Sequence, residues 1–133
     1  MTRNPQSLLY AKSHEWADVS DQGGAKIATV GISAFAIEQL ADLVYMDLPI
    51  VGSTVTAGQE FGEVESVKAV SPLYSPVDGE ILEVHGELPD NLDGLKNDPY
   101  NFGWIIKVKL SSESALSQLL DHSTYEQRCS EAG

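Results

Sequence analysis

The sequence predicts a mainly β protein with one short internal helix and a helical C-terminus, and three observations carry that prediction. Runs rich in β-favouring residues stand at Lys26–Gly31 and Leu43–Leu48. From Gly52 onward, turn residues and strand residues trade places every few positions. Apolar residues take up sustained helical spacing only towards the end of the chain.

The elements follow in order. Lys26–Gly31 is the first clear strand, and Ser33 is placed to cap a helix over Ala34–Leu40, with Ile32 and Ile37 at the two positions of a hydrophobic staple. Leu43–Leu48 alternates in part before Pro49 ends it. Turns are expected at Gly52-Ser53, Ala57-Gly58, Ser71-Pro72 and Ser75-Pro76, around a strand over Phe61–Val67. Asp78-Gly79 is the strongest hairpin signal, because both residues tolerate the positive φ of a type I′ turn; Ile81, Glu83 and His85 then alternate with Leu82, Val84 and Gly86. Glu87–Asp98 is polar and holds Pro89, Asn91, Gly94 and Asn97, which predicts a surface loop before a last strand over Trp104–Leu110. Ser112 can cap a helix in which Ala115, Leu116, Leu119 and Leu120 share a face, and Ser123 with Glu126 makes a capping-box pair. That face either packs on the β body or leaves Leu119 and Leu120 for a partner. The expected organisation is a single domain over residues 1–133, with a β core over about 10–110 and a helical segment over about 112–129.

Composition narrows the function. Apolar residues make up 42% and charged residues 21%, as in ordinary globular proteins. Twenty acidic against eight basic residues give a net charge of −12, which repels nucleic acid and anionic membranes and either favours basic protein surfaces or serves only solubility. No apolar run approaches the roughly 18 residues that span a bilayer, and Met1–Tyr10 lacks the charged start and apolar core of a signal peptide. The cytoplasm is the expected location, although the mature form of an organellar protein would read the same. The single cysteine, Cys129, offers neither a disulfide nor a metal cluster, and His14, His85 and His122 lack metal-ligand spacing. No phosphate loop and no convergent acid, base and nucleophile can be assembled, so no catalytic residues and no metal are expected.

One residue stands apart. Lys68 lies among Val64, Val67, Ala69 and Val70, between a strand run and a proline-containing turn region. A lone lysine there is ordinarily a solvated strand end. Here its neighbourhood is Phe61-Gly62-Glu63-Val64-Glu65-Ser66-Val67-Lys68-Ala69, with Gly79 eleven residues after the lysine. This resembles the lipoyl-attachment signature, which implies a lysine at a hairpin tip and a glycine-bearing turn that holds the returning strand. Biotin carriers set methionines on both sides of their lysine, where this chain has Val67 and Ala69.

The likeness extends along the chain. Ser13-His14-Glu15-Trp16, Val30-Gly31-Ile32, Glu38-Gln39-Leu40-Ala41-Asp42, Leu48-Pro49, Val51-Gly52, Tyr74–Glu80, and Pro99-Tyr100 with Gly103-Trp104 resemble the glycine cleavage H protein family in the expected order. The resemblance implies a barrel-sandwich hybrid of the lipoyl- and biotinyl-carrier kind, and a lipoate joined by an amide to Lys68, with Glu65, Ser66, Val67, Ala69 and Gly79 as its motif neighbours. It implies a carrier and not an enzyme. Glycine decarboxylase, a pyridoxal phosphate enzyme, would load an aminomethyl group. A tetrahydrofolate-dependent aminomethyltransferase would take the carbon and release ammonia, and dihydrolipoyl dehydrogenase would reoxidise the dithiol. A lipoate ligase or lipoyltransferase would install the group, and a monomer is expected because one carrier must visit several partners. The alternative is a carrier or relay of lipoate for other lipoate-dependent complexes.

The family is also thought to shelter the loaded arm in a polar cleft, and Ser13 and Glu15 match positions that would line it. A carboxylate there would attract an ammonium group. The other reading makes Ser13 and Glu15 exposed residues of an N-terminal strand; under either, His14 reads as structural and Trp16 as core. Three departures from the family stand out: Pro72 replaces a commonly acidic residue, Asn101 follows Tyr100 where glycine is usual, and the loop Asn91–Asn97 lacks the usual proline-leucine-asparagine pattern.

Overall fold

The computed structural model describes residues 4–40 and 42–132, the side chains of 131 and 132 excepted. Met1–Arg3 and Ala41, within the Glu38–Asp42 run, lie outside the described residues. Among the described residues, nine strands form two antiparallel sheets. In chain order they are β1 (Leu9–Tyr10), β2 (Glu15–Gln22), β3 (Ala25–Ile32), β4 (Leu43–Asp47), β5 (Thr54–Val55), β6 (Glu60–Ser66), β7 (Val70–Tyr74), β8 (Asp78–Val84) and β9 (Ile106–Ser112). The larger sheet runs β1-β2-β3-β9-β8-β5 and the smaller β4-β6-β7, with no closed barrel among the described residues. Three α-helices are described: α1 (Ala34–Leu40), α2 (Leu92–Asn97) and α3 (His122–Ala132). The mainly β fold and the internal helix stand as expected.

Side-chain chemistry accounts for the local choices. Ser33 Oγ accepts the Ala36 N–H at 3.2 Å, the bond of an N-cap to the third helical residue, and Ile32 and Ile37 are both in the core. β6 alternates cleanly, with Gly62, Val64 and Ser66 turned inward. Trp16 is fully buried over Gly31, its partner across the β2–β3 ladder, where a β-carbon would strike the indole ring. Its indole N–H donates to the Ile32 carbonyl at 3.1 Å. The main core takes residues from both sheets, among them Val30, Val64, Leu73, Ile81 and Val108.

Several expectations are corrected. Asp78-Gly79 is not a hairpin turn: both residues open β8, and Gly79 pairs with Val55 on one side and Leu110 on the other. Glycine is required there because a β-carbon would run into the Lys109 carbonyl oxygen of β9. The two-residue hairpin with left-handed residues is instead Gly23-Gly24, at φ +59° and +87°, joining β2 to β3. Ser71-Pro72 is no turn either. Pro72 sits inside β7, tolerated because β7 is an edge strand. The predicted alternation over Ile81–Gly86 breaks at a bulge between Ile81 and Glu83, which leaves Ile81 and His85 buried but Glu83 exposed.

The predicted loop Glu87–Asp98 is a 3-10 turn over Leu88–Asp90 followed by α2, and Leu88 and Leu95 are fully buried. Polar residues mark its surface face, but two leucines anchor it. At the C-terminus, β9 runs on to Ser112, a 3-10 turn covers Ser114–Gln118, and Leu120 bridges to Tyr10. The last helix is capped by Asp121, whose Oδ1 accepts the Thr124 N–H at 2.8 Å, rather than by Ser123.

Candidate functional site

The β6–β7 hairpin sets the site. Its strands pair from Glu60↔Tyr74 to Glu65↔Val70, which leaves Ser66–Ala69 as the connection. Neither Val67 nor Lys68 has positive φ, so the chain does not reverse by the glycine-dependent route. Ser66 supplies the missing bond. Its N–H donates to the Ala69 carbonyl at 2.8 Å, while its buried Oγ accepts the Ala69 N–H at 3.2 Å. The Val67 N–H donates to the Asp42 carbonyl at 3.0 Å, tying the tip to the start of β4. Lys68 therefore stands on a fixed base with its side chain in solvent, and among the described residues it has no ion pair or hydrogen bond.

Around the tip, apolar side chains face water. Val67 is 73% exposed, and Val44, Tyr45 and Val70 are each about half exposed. Tyr45, Glu65 and Val70 form one row across the three strands, so a carboxylate lies between two apolar side chains on the outer face. Such a patch, bounded by acid, is suited to protein contact. Gly79 does not belong here: it lies in the other sheet and does not hold the returning strand.

Beyond the hairpin a cleft of about 140 Å³ opens between the sheets, lined by Ser13, Glu15, Gln39, Leu40, Ser71 and Pro72 among others. Ser71 and Pro72 follow Lys68 by three and four residues along β7, so one strand joins the lysine to the cleft. Glu15 is the carboxylate of this cleft and is only 1% exposed. Its Oε2 accepts the Tyr74 N–H at 3.0 Å, and its Oε1 accepts the Ser13 hydroxyl. Burial pushes its pKa up to about 7, and the bonds from Ser13 and Tyr74 pull back only in part. A cation entering the cleft would favour the charged form. A larger cavity of about 430 Å³ shares Ser13 and is walled by residues such as Ala57, Tyr74, Pro76 and Leu119, with no carboxylate among its lining residues.

The structure thus brings Ser66, Val67, Lys68 and Ala69 to one tip, sets Glu65 beside it, and places Ser13 and Glu15 in one cleft. Sequence reasoning missed the Tyr74 backbone amide, the contribution of α1 through Gln39 and Leu40, and Tyr125, which reaches His14 from the far end of the chain. The Leu40 signal was present in the helix itself. Nothing local marks the other two.

Comparison with known proteins bears on the whole chain. The glycine cleavage H-protein family model matches residues 8–132. The glycine cleavage system H protein of Rhodopirellula baltica is 63% identical over 133 residues, covering 100% of both chains. That of Alcanivorax borkumensis is 49% identical over 126 residues, covering 95% of each. A crystal structure of a glycine cleavage system H protein from Mycobacterium marinum is similar with a TM-score of 0.84 and 38% identity, covering 94% of this chain and 98% of that one.

Proposed function

This chain belongs to the glycine cleavage H-protein family, and from that membership we propose that Lys68 is the residue to which its lipoate is joined. The protein is a lipoyl carrier of the glycine cleavage system and not a catalyst, with lipoate held covalently on a lysine. The observation that carries Lys68 is its place at the apex of a side-chain-braced hairpin, solvent-exposed and beside an exposed Val67. Among the described residues Lys26 is paired with Asp21 and Glu113 and Lys107 with Glu83, while Lys12, Lys96 and Lys109 are in no ion pair, so it is the hairpin apex that distinguishes Lys68.

Attached lipoate supplies a cyclic disulfide that can be opened, can carry an amine-bearing one-carbon fragment, and can be closed again by oxidation. The chain's own part is presentation and shelter. The Ser66 bonds keep the tip in one conformation, so the stem moves from a fixed origin and its end stays concentrated near any docked enzyme. Glu15 offers a buried negative charge to an ammonium group and Ser13 orients that carboxylate, while the cleft walls limit water. Pro72 contributes no charge, so the work of attraction falls to Glu15.

Interaction with the other components of the glycine cleavage system follows from the family. We read these partners as glycine decarboxylase, the aminomethyltransferase, dihydrolipoyl dehydrogenase, and the ligase or lipoyltransferase that loads Lys68. The acid-bounded apolar tip suits each as a shared contact, and a monomer leaves it free for all of them. No described helix is long and apolar enough to cross a membrane, and we read the working location as the cytoplasm. The whole chain is read as one carrier domain because its main core draws on both sheets. Lys68→Arg tests the assignment, since arginine keeps the charge but offers no acylatable amine. Reconstituted glycine cleavage should be lost with the fold intact by circular dichroism, and retained activity would overturn the assignment.

A further inference from the structure

We propose that Tyr125, on the C-terminal helix, is a positioning residue for the Glu15 cleft: its hydroxyl holds His14 in a left-handed backbone conformation that sets Ser13 and Glu15 facing the cargo. The proposal rests on the reading of that cleft given above.

His14 has φ +83°, alone among the described non-glycine residues in the left-handed region. A side chain makes that conformation unfavourable, so the surroundings must impose it. Backbone bonds close the turn: the His14 N–H donates to the Ala11 carbonyl at 3.0 Å, and the Ala11 N–H to the Glu15 carbonyl at 2.8 Å. The Ser33 N–H donates to the His14 carbonyl at 2.9 Å. What fixes the side chain is Tyr125, whose hydroxyl lies 2.7 Å from His14 Nδ1.

The same hydroxyl lies 2.6 Å from Ser33 Oγ, the atom that caps α1. Ser33 Oγ already accepts the Ala36 N–H, so its own proton can pass to the Tyr125 oxygen, and the Tyr125 proton to His14 Nδ1. Burial lowers the His14 pKa, with Arg128 adding to the effect, and raises that of Tyr125, so both groups stay neutral as this chain of bonds requires. Ala36 and His14 both line the cleft. One buried hydroxyl therefore ties together the helix on one wall and the turn that carries Ser13 and Glu15. The ring itself is held separately, stacked on Tyr10 at 4.4 Å and 7°. Phenylalanine could fill that stack, so the substitution removes the hydroxyl and its bonds to His14 and Ser33 while the ring stays in place.

The test compares Tyr125→Phe with Tyr10→Phe, which removes a hydroxyl bonded to the Pro5 carbonyl in the same aromatic cluster. Two readouts are taken: titration of the Glu15 carboxyl by carbon NMR in the unlipoylated protein, and the hydrolytic lifetime of the loaded carrier. Tyr125→Phe should move the Glu15 titration towards the ordinary carboxylate range by about one pH unit and shorten the loaded lifetime about threefold or more, while Tyr10→Phe does neither. An unmoved Glu15 titration in folded Tyr125→Phe, or an equal movement in Tyr10→Phe, overturns the positioning role. Failure of the cleft reading shows differently: Glu15→Gln then leaves the loaded lifetime unchanged, and a Glu15 titration still shifted by Tyr125→Phe supports the positioning link on its own.

Discussion

The Glu15 carboxyl group on β2 accepts the Tyr74 backbone N–H on β7 at 3.0 Å, joining the six-stranded sheet to the three-stranded sheet through a single buried titratable side chain. The strand that donates this bond begins two residues after Lys68, so the group read as the cleft's attractor also braces the lysine's own hairpin.

That bond has a pH signature. The folded pKa of Glu15 is raised from the ordinary 4.5 to about 7 by burial, so between these values the folded chain binds more protons than the unfolded chain. Stability therefore falls as pH rises through this window, by about 3 kcal/mol once the group is fully charged. Glu15→Gln removes the titration. Denaturation midpoints at about pH 4 and about pH 8 should lie closer together in the variant than in the wild type, with the gain at the higher pH. An unchanged spread would show that Glu15 titrates normally. Loss of cargo shelter in the same variant would mark the charge as kept for function at a cost in stability.

Gly79 separates two structural readings. If it formed a type I′ turn, Gly79→Asn would be nearly neutral, because asparagine accepts positive φ. In β8 any side chain meets the Lys109 carbonyl, so Gly79→Asn should cost about 1–3 kcal/mol or more by urea denaturation.

Leu95 tests the segment that reads as a loop. Its side chain is fully buried on α2, so Leu95→Ala should cost about 2–5 kcal/mol. A change within about 0.5 kcal/mol, as at a surface position, would return the segment to loop status.

These residues also show what the sequence made legible. The Ser33 cap and the strands over 25–32, 43–47 and 60–66 could be read because each rests on neighbours within a few positions, whereas the lysine tip followed only from the likeness of its motif to the lipoyl-attachment signature. Gly79 misled because a glycine needed for close approach between strands looks locally like one needed for a turn. Leu88 and Leu95 were hidden because two apolar residues in a polar stretch set no periodicity, and only the fold shows what they pack against. The cleft was legible as Ser13 and Glu15, but burial of Glu15 was not: it depends on β7 crossing 59 residues later. Tyr125 is 111 residues from His14, and no local pattern joins them.

Attachment of lipoate to Lys68 is tested most directly by intact mass followed by peptide mapping after incubation with an active lipoate ligase and lipoate. One lipoyl addition confined to the peptide containing Lys68 is the predicted result. Addition at Lys12, Lys96 or another lysine, or a bare Lys68 beside a control carrier modified by the same ligase, would contradict it.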